Sequence, residues 1–219
     1  MAFNYKFHVK KKRPEDIYAD VRDYYIKDRL LDYAYSKSMM RIQEKITKRV
    51  LELLDFENNN KLILDAGCGP GFASFYLQQH GFKVVSLDLI NNFLNIYDMS
   101  EVNPIAGDMS YLPIKPDTFD GIISISALQW ICRDIDSKSE IMKLIELVKS
   151  FYLALKTNGI IVIQFYPKNT KILEEIGSIF VKNASFEGGY IIDNENSPKK
   201  RKIFLKLVKY ENSSFKSKL

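Results

Sequence analysis

Leu62-Ile63-Leu64-Asp65-Ala66-Gly67-Cys68-Gly69-Pro70-Gly71 constrains this chain more than any other stretch, because an apolar run ends in an acid and three alternate glycines follow. The run reads as a buried strand and the glycines as a sharp turn in which the backbone can approach a ligand where a Cβ would collide. A helix is expected directly behind, over Phe72 to His80. The spacing departs from the dinucleotide fingerprint, whose third glycine falls one residue later and seats a pyrophosphate on the helix N-terminus. Asp65 would repel a pyrophosphate but can accept hydrogen bonds from an ammonium group. The pattern therefore favours S-adenosylmethionine over NAD as the cofactor.

Two further acids reinforce this. Lys83-Val84-Val85-Ser86-Leu87-Asp88 repeats the strand-to-acid pattern about 20 residues on, where a carboxylate can hold a ribose diol. In Ile105-Ala106-Gly107-Asp108-Met109 a third acid can accept from an adenine amino group while an apolar neighbour packs on the ring. Together the three strand ends resemble those of the class I methyltransferases.

The remaining pattern suits one α/β core with a modest appendage, for which 219 residues at 46% hydrophobic suffice. Residues 18–54 read as helical, with Ile42, Ile46, Val50 and Leu54 forming one buried stripe. Asn91 or Asn92 is expected to cap a short helix, and Phe119 to Ile125 forms the fourth strand. A helix over Ser139 to Leu155 is stopped by Asn158-Gly159, which launches a fifth strand through Phe165. Alternating strands and helices imply a parallel sheet covered on both faces. The ending differs: Glu187 to Asp193 and Lys202 to Val208 have no helix between them and read as an antiparallel hairpin. The expectation is a Rossmann-like α/β fold with a seven-stranded, mostly parallel sheet, divided into a basic arm with helical cap over residues 1–54 and a cofactor-binding unit over residues 55–219.

Several classes are excluded. No apolar run is long enough to span a bilayer, and the start lacks a signal-peptide core, so secretion is not expected. The expected location is cytoplasmic, or nuclear in a eukaryote. Cys68 and Cys132 alone provide neither a disulfide framework nor a cysteine-rich zinc site, and no metal is expected. His8 and His80 form no catalytic pair, and His80 reads as a helix cap.

Ligands of open α/β sheets collect at the carboxyl ends of the strands. Here strand four runs into Ser124-Ile125-Ser126-Ala127-Leu128-Gln129-Trp130, and strand five ends in Gln164-Phe165-Tyr166-Pro167-Lys168-Asn169. The acid or asparagine followed by two prolines and an aromatic, typical of adenine-N6 and cytosine-N4 enzymes, is absent. Trp130, Phe165 and Tyr166 are candidates to sandwich a flat base, with Gln129 or Gln164 at its edge; plugging the core is the alternative.

These two segments, with Phe186-Glu187-Gly188-Gly189 and Pro14-Glu15-Asp16-Ile17-Tyr18, closely resemble the small-subunit ribosomal RNA guanine-N7 methyltransferases of eukaryotes, over roughly Arg13 to Val208. The leading segment departs from the family in carrying extra residues over 24–31, and the sequence ends at Leu219 where eukaryotic members usually have a long basic tail. The resemblance implies that Tyr33 to Arg41 covers the cofactor, which Tyr33, Asp65, Gly67, Cys68, Gly69, Asp88, Leu89, Asp108, Met109 and Ser124 would hold. Ser126, Gln129, Trp130, Gln164, Phe165 and Tyr166 would then meet the guanine. No catalytic residue is expected, because guanine N7 carries an in-plane lone pair and no proton, so attack needs positioning and no general base. Ribosomal RNA or a pre-ribosomal small subunit is the implied partner. A small zinc-ribbon activator would pair with the edge near Asn103 to Met109, where Val102, Ile105 and Met109 would otherwise be exposed.

The net charge of +5 fits RNA but is common elsewhere. Its distribution is more telling: Lys6, Lys10, Lys11, Lys12 and Arg13 crowd one end, and Lys199, Lys200, Arg201 and Lys202 crowd the final hairpin loop. These clusters are either phosphate contacts or a solvated arm and loop. Two other functions remain open, a small-molecule methyltransferase and a ribosome-assembly factor whose methylation is dispensable.

Overall fold

The computed structural model describes residue 7 and residues 12–210; the basic residues Lys6, Lys10 and Lys11 and His8 lie outside them. The strands are β1 (Leu62–Ala66), β2 (Lys83–Asp88), β3 (Pro104–Ala106), β4 (Phe119–Ile125), β5 (Leu155–Phe165), β6 (Phe186–Asp193) and β7 (Lys202–Lys209). They form one sheet in the order β3-β2-β1-β4-β5-β7-β6. The first five run parallel, β7 lies antiparallel to β5, and β6 closes the hairpin on β7.

The side-chain alternation of the strands decides which helix covers which face. Leu64, Ile122, Ile161, Ile163 and Leu205 point to one side, where they meet α7 (Lys138–Ala154) and α8 (Thr170–Asn183). Ile63, Ile123, Val162 and Phe204 point to the other, against α4 (Lys37–Leu54) and α5 (Phe72–Gln79). Between α5 and α7 in the chain lies the single turn α6 (Asn91–Leu94). A smaller cluster of Leu30, Ile90 and Phe93 ties α3 (Lys27–Ala34) to the loop after β2. No helix among the described residues is long and apolar enough to cross a membrane.

Four expectations need correction. The leading helical segment is broken into α1 (Pro14–Ile17), α2 (Val21–Tyr24), α3 and α4, because Asp20 and Ser36 accept from the backbone N–H groups of Arg22 and Met39 and start new helices. In α4 Ile46, Val50 and Leu54 are buried, but Ile42 is 43% exposed, the inward position at this turn being taken by Gln43, which is buried and lines the cleft. Neither Asn91 nor Asn92 caps α6; both are inside it, and Asp88 Oδ1 accepts from Ile90 N in that role. Helix α7 yields to β5 at Leu155, ahead of Asn158-Gly159, because Leu155 already pairs with Phe119 and the asparagine, at φ 63°, forms a bulge within the strand.

The β3 edge also differs from expectation. Val102 and Met109 are buried within the fold, beneath α5 and beside Leu87 respectively, and Ile105 is half-buried. The backbone of β3 remains at the margin of the sheet.

Candidate active site

Between β1 and α5 the backbone folds back across β2. Gly67 N and Cys68 N both donate to Leu87 O, at 2.8 and 3.0 Å. Gly67 has φ +80°, and a Cβ there would lie 2.6 Å from the Ala127 Cβ. At Gly69 a Cβ would meet only the Tyr33 ring at 3.8 Å, so this side of the turn faces open space. That space is a cleft of about 830 Å³, counting the open solvent at its mouth.

Its floor is the glycine turn with Asp65, Asp88, Leu89 and the segment Gly107-Asp108-Met109. Its roof comes from the N-terminal segment through Val21, Tyr25, Tyr33 and Gln43, and its far end from Ser126, Ala127 and Trp130. The roof is tied down from below: Arg133 Nη1 donates to Tyr18 O at 3.0 Å and Ala19 O at 3.1 Å, Arg13 Nη1 donates to Tyr166 O at 2.5 Å, and Lys168 pairs with Asp16.

Asp65 and Asp88 set the electrostatics. Asp65 accepts from Ser74 Oγ at 2.6 Å, and burial pushes its carboxyl up to about 7 against that hydrogen bond. Asp88 accepts from Gly69 N at 2.7 Å and Ile90 N at 2.8 Å, and its carboxyl is raised by burial despite them. Neither has an ion-pair partner among the described residues. Two buried carboxylates without a counter-cation suit a ligand that brings an ammonium and hydroxyl donors. Asp108 differs, being held by Ser110 N at 2.9 Å and paired with Lys143 at 3.4 Å. Tyr33, raised by burial to about 12, stays a neutral phenol.

The cleft brings together Tyr33, Asp65, Gly67, Cys68, Gly69, Asp88, Leu89, Asp108, Met109, Ser126 and Trp130. Other expected residues lie elsewhere. Ser124 is buried beneath the floor, donating to Ala66 O at 2.8 Å. Gln164 is fully buried and its Oε1 accepts from Ser126 Oγ at 2.9 Å, while Gln129 Nε2 donates to Ser126 O at 2.8 Å. Both glutamines are struts that hold Ser126 at φ 58°, so neither side-chain amide is turned to a base edge. Phe165, 1% exposed, is in the core among α8 and β7 residues and can face no ligand. Tyr166 lies beyond the cleft, accepting from Lys202 Nζ at 2.8 Å. The roof residues Val21, Tyr25 and Gln43 were not anticipated; the tyrosine density of residues 18–35 was the available signal.

A family model described as a methyltransferase domain matches residues 64–163. The 18S rRNA (guanine-N(7))-methyltransferase of Bos taurus is 37% identical over 188 residues, 83% of this chain and 66% of the bovine protein. The 18S rRNA (guanine(1575)-N(7))-methyltransferase of Saccharomyces cerevisiae is 35% identical over 190 residues, 84% of this chain and 68% of the yeast protein. The chain belongs to the 18S rRNA guanine-N7 methyltransferase family. It spans about two thirds of the length of such relatives. The fold recurs in solved structures: a Pyrococcus horikoshii protein superposes with a TM-score of 0.62 at 16% identity, over 85% of this chain and 98% of its own. A phosphoethanolamine N-methyltransferase of Haemonchus contortus, solved with S-adenosylhomocysteine, superposes with a TM-score of 0.57 at 16% identity, over 84% of this chain and 60% of its own. S-adenosylmethionine is the cofactor of this methyltransferase family, and the unpaired acids and open glycine turn fit it.

One consequence concerns pH. An acid raised on folding favours the native state below its unfolded pKa near 3.8, and that contribution is lost as pH rises through about 7. Cofactor binding shows the opposite trend, because an ammonium needs the ionised form. Calorimetric affinity for S-adenosylmethionine is expected to rise with pH up to about 7, by at most about tenfold per unit, and then level off. The slope should vanish in Asp65→Asn; a flat profile in the unsubstituted chain would rule out Asp65 as the ammonium partner.

Proposed function

We propose that this chain methylates N7 of a guanine in small-subunit ribosomal RNA. The observation that carries this reading is a cleft with two cation-free buried carboxylates on its floor and a lone tryptophan at its far end, in a chain of this family. Asp65 would take the amino group of S-adenosylmethionine and Asp88 its ribose hydroxyls, with the Gly67 to Gly69 turn alongside. Asp108 and Met109 would meet the adenine. The bound cofactor supplies an electrophilic methyl on a sulfonium centre.

What the protein adds is placement. Guanine N7 attacks with its own lone pair; the carbon–sulfur bond breaks as the carbon–nitrogen bond forms, and positive charge passes to the purine with no proton to remove. Trp130 would offer its indole face to that charge, an attraction of about 0.5–2 kcal/mol. Tyr25, whose phenol is raised by burial, and Tyr33 exclude water from the roof. The buried aromatic roof admits only a base that has left its stack, which favours a loop or partly assembled RNA.

Phosphates would be met by Lys12 and the hairpin loop, the Arg13 guanidinium being held by Tyr166 O, Glu15 and Asp16. Lys202 stands over the Tyr166 ring at 4.8 Å, so the hairpin is joined to the end of β5. The proposed protein partner is a small zinc-ribbon activator adding a strand along β3, whose outer backbone edge stays unpaired in the sheet. The setting proposed is the cytoplasm, or the nucleus in a eukaryote.

The direct test incubates the chain, with and without a zinc-ribbon partner, with labelled S-adenosylmethionine and small ribosomal subunits, and maps N7-methylguanosine by borohydride–aniline cleavage. One discrete cleavage supports the proposal. Turnover on a metabolite with no cleavage, or assembly activity that survives loss of cofactor binding, would replace it. Trp130→Ala is expected to leave cofactor affinity within about threefold while lowering methylation tenfold or more, in line with a lost stacking partner. Loss of both would make Trp130 a core residue.

A further inference from the structure

Trp130 is the sole tryptophan of the chain, and its ring does not end the aromatic lining of the cleft. The Tyr24 ring lies 5.8 Å from it at 33°, and the Tyr18 ring lies 5.4 Å from Tyr24 at 52°. The Arg29 guanidinium sits over both, 5.3 Å from the Tyr18 centroid and 5.6 Å from that of Tyr24, and donates to Tyr18 Oη at 2.8 Å. Tyr24 does not line the cleft. Instead it continues the indole outward to a half-buried position, and Arg29 is exposed with no ion pair among the described residues. In the other direction the series passes from Trp130 through Tyr25 to Phe93 and Tyr33, inside the roof.

A ring wholly needed for packing would be expected behind the roof, as Phe93 is. A guanidinium over two partly exposed phenols tilted 52° to one another, with no ion pair to it among the described residues, makes instead a stepped cationic aromatic surface on which nucleobases can stack. Because the surface adjoins Trp130, a strand whose guanine enters the cleft can lay its neighbouring nucleotide across it. Arg133, which donates to Tyr18 O, fixes the outer end of this surface to the body of the enzyme.

We propose that Tyr24, with Tyr18 and Arg29, is a stacking shelf for the base that flanks the target guanine in single-stranded RNA. This rests on the RNA reading above and adds to it a second nucleotide contact. Stacking tolerates any base, so the shelf would contribute affinity and register without a strong sequence requirement at that neighbour.

The test reads binding of a short single-stranded oligoribonucleotide with a central guanine, followed by quenching of the Trp130 fluorescence. A matched oligoribonucleotide abasic at the positions flanking the guanine serves as the partner in a double-substitution cycle. Tyr24→Ala is expected to weaken the intact RNA about tenfold and the abasic RNA hardly at all, with calorimetric affinity for S-adenosylmethionine unchanged. Tyr24→Phe should bind like the unsubstituted chain. Tyr24→Leu, which keeps an apolar side chain of some bulk in the gap, should bind as weakly as the alanine variant and decides the matter if that variant does not fold. Equal weakening of both RNAs, no weakening of either, or loss of cofactor affinity would overturn the shelf while leaving the RNA reading standing. Absence of binding by the unsubstituted chain would overturn the RNA reading, and the shelf with it.

Discussion

Asp88→Lys is expected to abolish measurable binding of S-adenosylmethionine in calorimetry, a loss beyond about a thousandfold. Asp88 is buried beside the glycine turn, and its two oxygens already hold Gly69 N and Ile90 N. A carboxylate in that position can take two hydroxyls of a ribose, each such charge-assisted bond contributing about 1.5–3 kcal/mol. A lysine removes both and places a cation where donors converge. It also leaves Gly69 N–H and Ile90 N–H without their acceptor, so the melting temperature should fall. Asp88→Asn separates the two effects, because it keeps the shape and one acceptor; affinity should then fall about ten- to a hundredfold with a smaller stability loss. Unchanged affinity in Asp88→Asn and Asp88→Lys would remove Asp88 from the cofactor site.

Gly67→Ala should rank next. The position has φ +80°, where a Cβ carries strain of about 1–3 kcal/mol, and that Cβ would lie 2.6 Å from the Ala127 Cβ. Relief requires the β1 turn to part from the β4 turn, which together shape opposite ends of the cleft. Overpacking of this kind adds about 1–3 kcal/mol, so chemical denaturation should show a total loss of roughly 2–6 kcal/mol. Cofactor affinity should drop at least tenfold in whatever fraction remains folded. A variant with unaltered stability would mean that the turn adapts without cost. Ala127→Gly, combined with Gly67→Ala, should recover part of the loss by removing the opposing methyl, while the strain at φ +80° remains.

Most of the strands were legible in the sequence as apolar runs ended by a turn residue, and adjacent apolar residues such as Ile63-Leu64 or Ile122-Ile123 need both faces covered; their order in the sheet was not read. The acids Asp65, Asp88 and Asp108 were legible for a related reason, since they stand where such runs stop. Legibility failed where a side chain's direction depends on a backbone twist with no local signature. Ser126 adopts φ 58° after β4 and is held there by Gln129 and Gln164, whose amides are thereby occupied; nothing in Ser124-Ile125-Ser126 announces a left-handed residue. The same limit hid Phe165. At the end of a strand its aromatic type suits a base pocket and a core equally, and only the position of α8 decides for the core. Tyr33 in the roof was expected, but the part supplied by Val21 and Tyr25 was hidden because α1 to α3 are too short for a helical period to show.

Two of the three ties that hold this roof end on main-chain atoms, which the third, the Lys168–Asp16 ion pair, does not. Arg133 grips the carbonyls of Tyr18 and Ala19, and Arg13 grips the carbonyl of Tyr166, so the acceptors on both sides are main-chain atoms. A main-chain acceptor survives almost any replacement of the residue that carries it. The surface above the cleft can thereby exchange one aromatic or charged residue for another while these two fastenings beneath it stay the same.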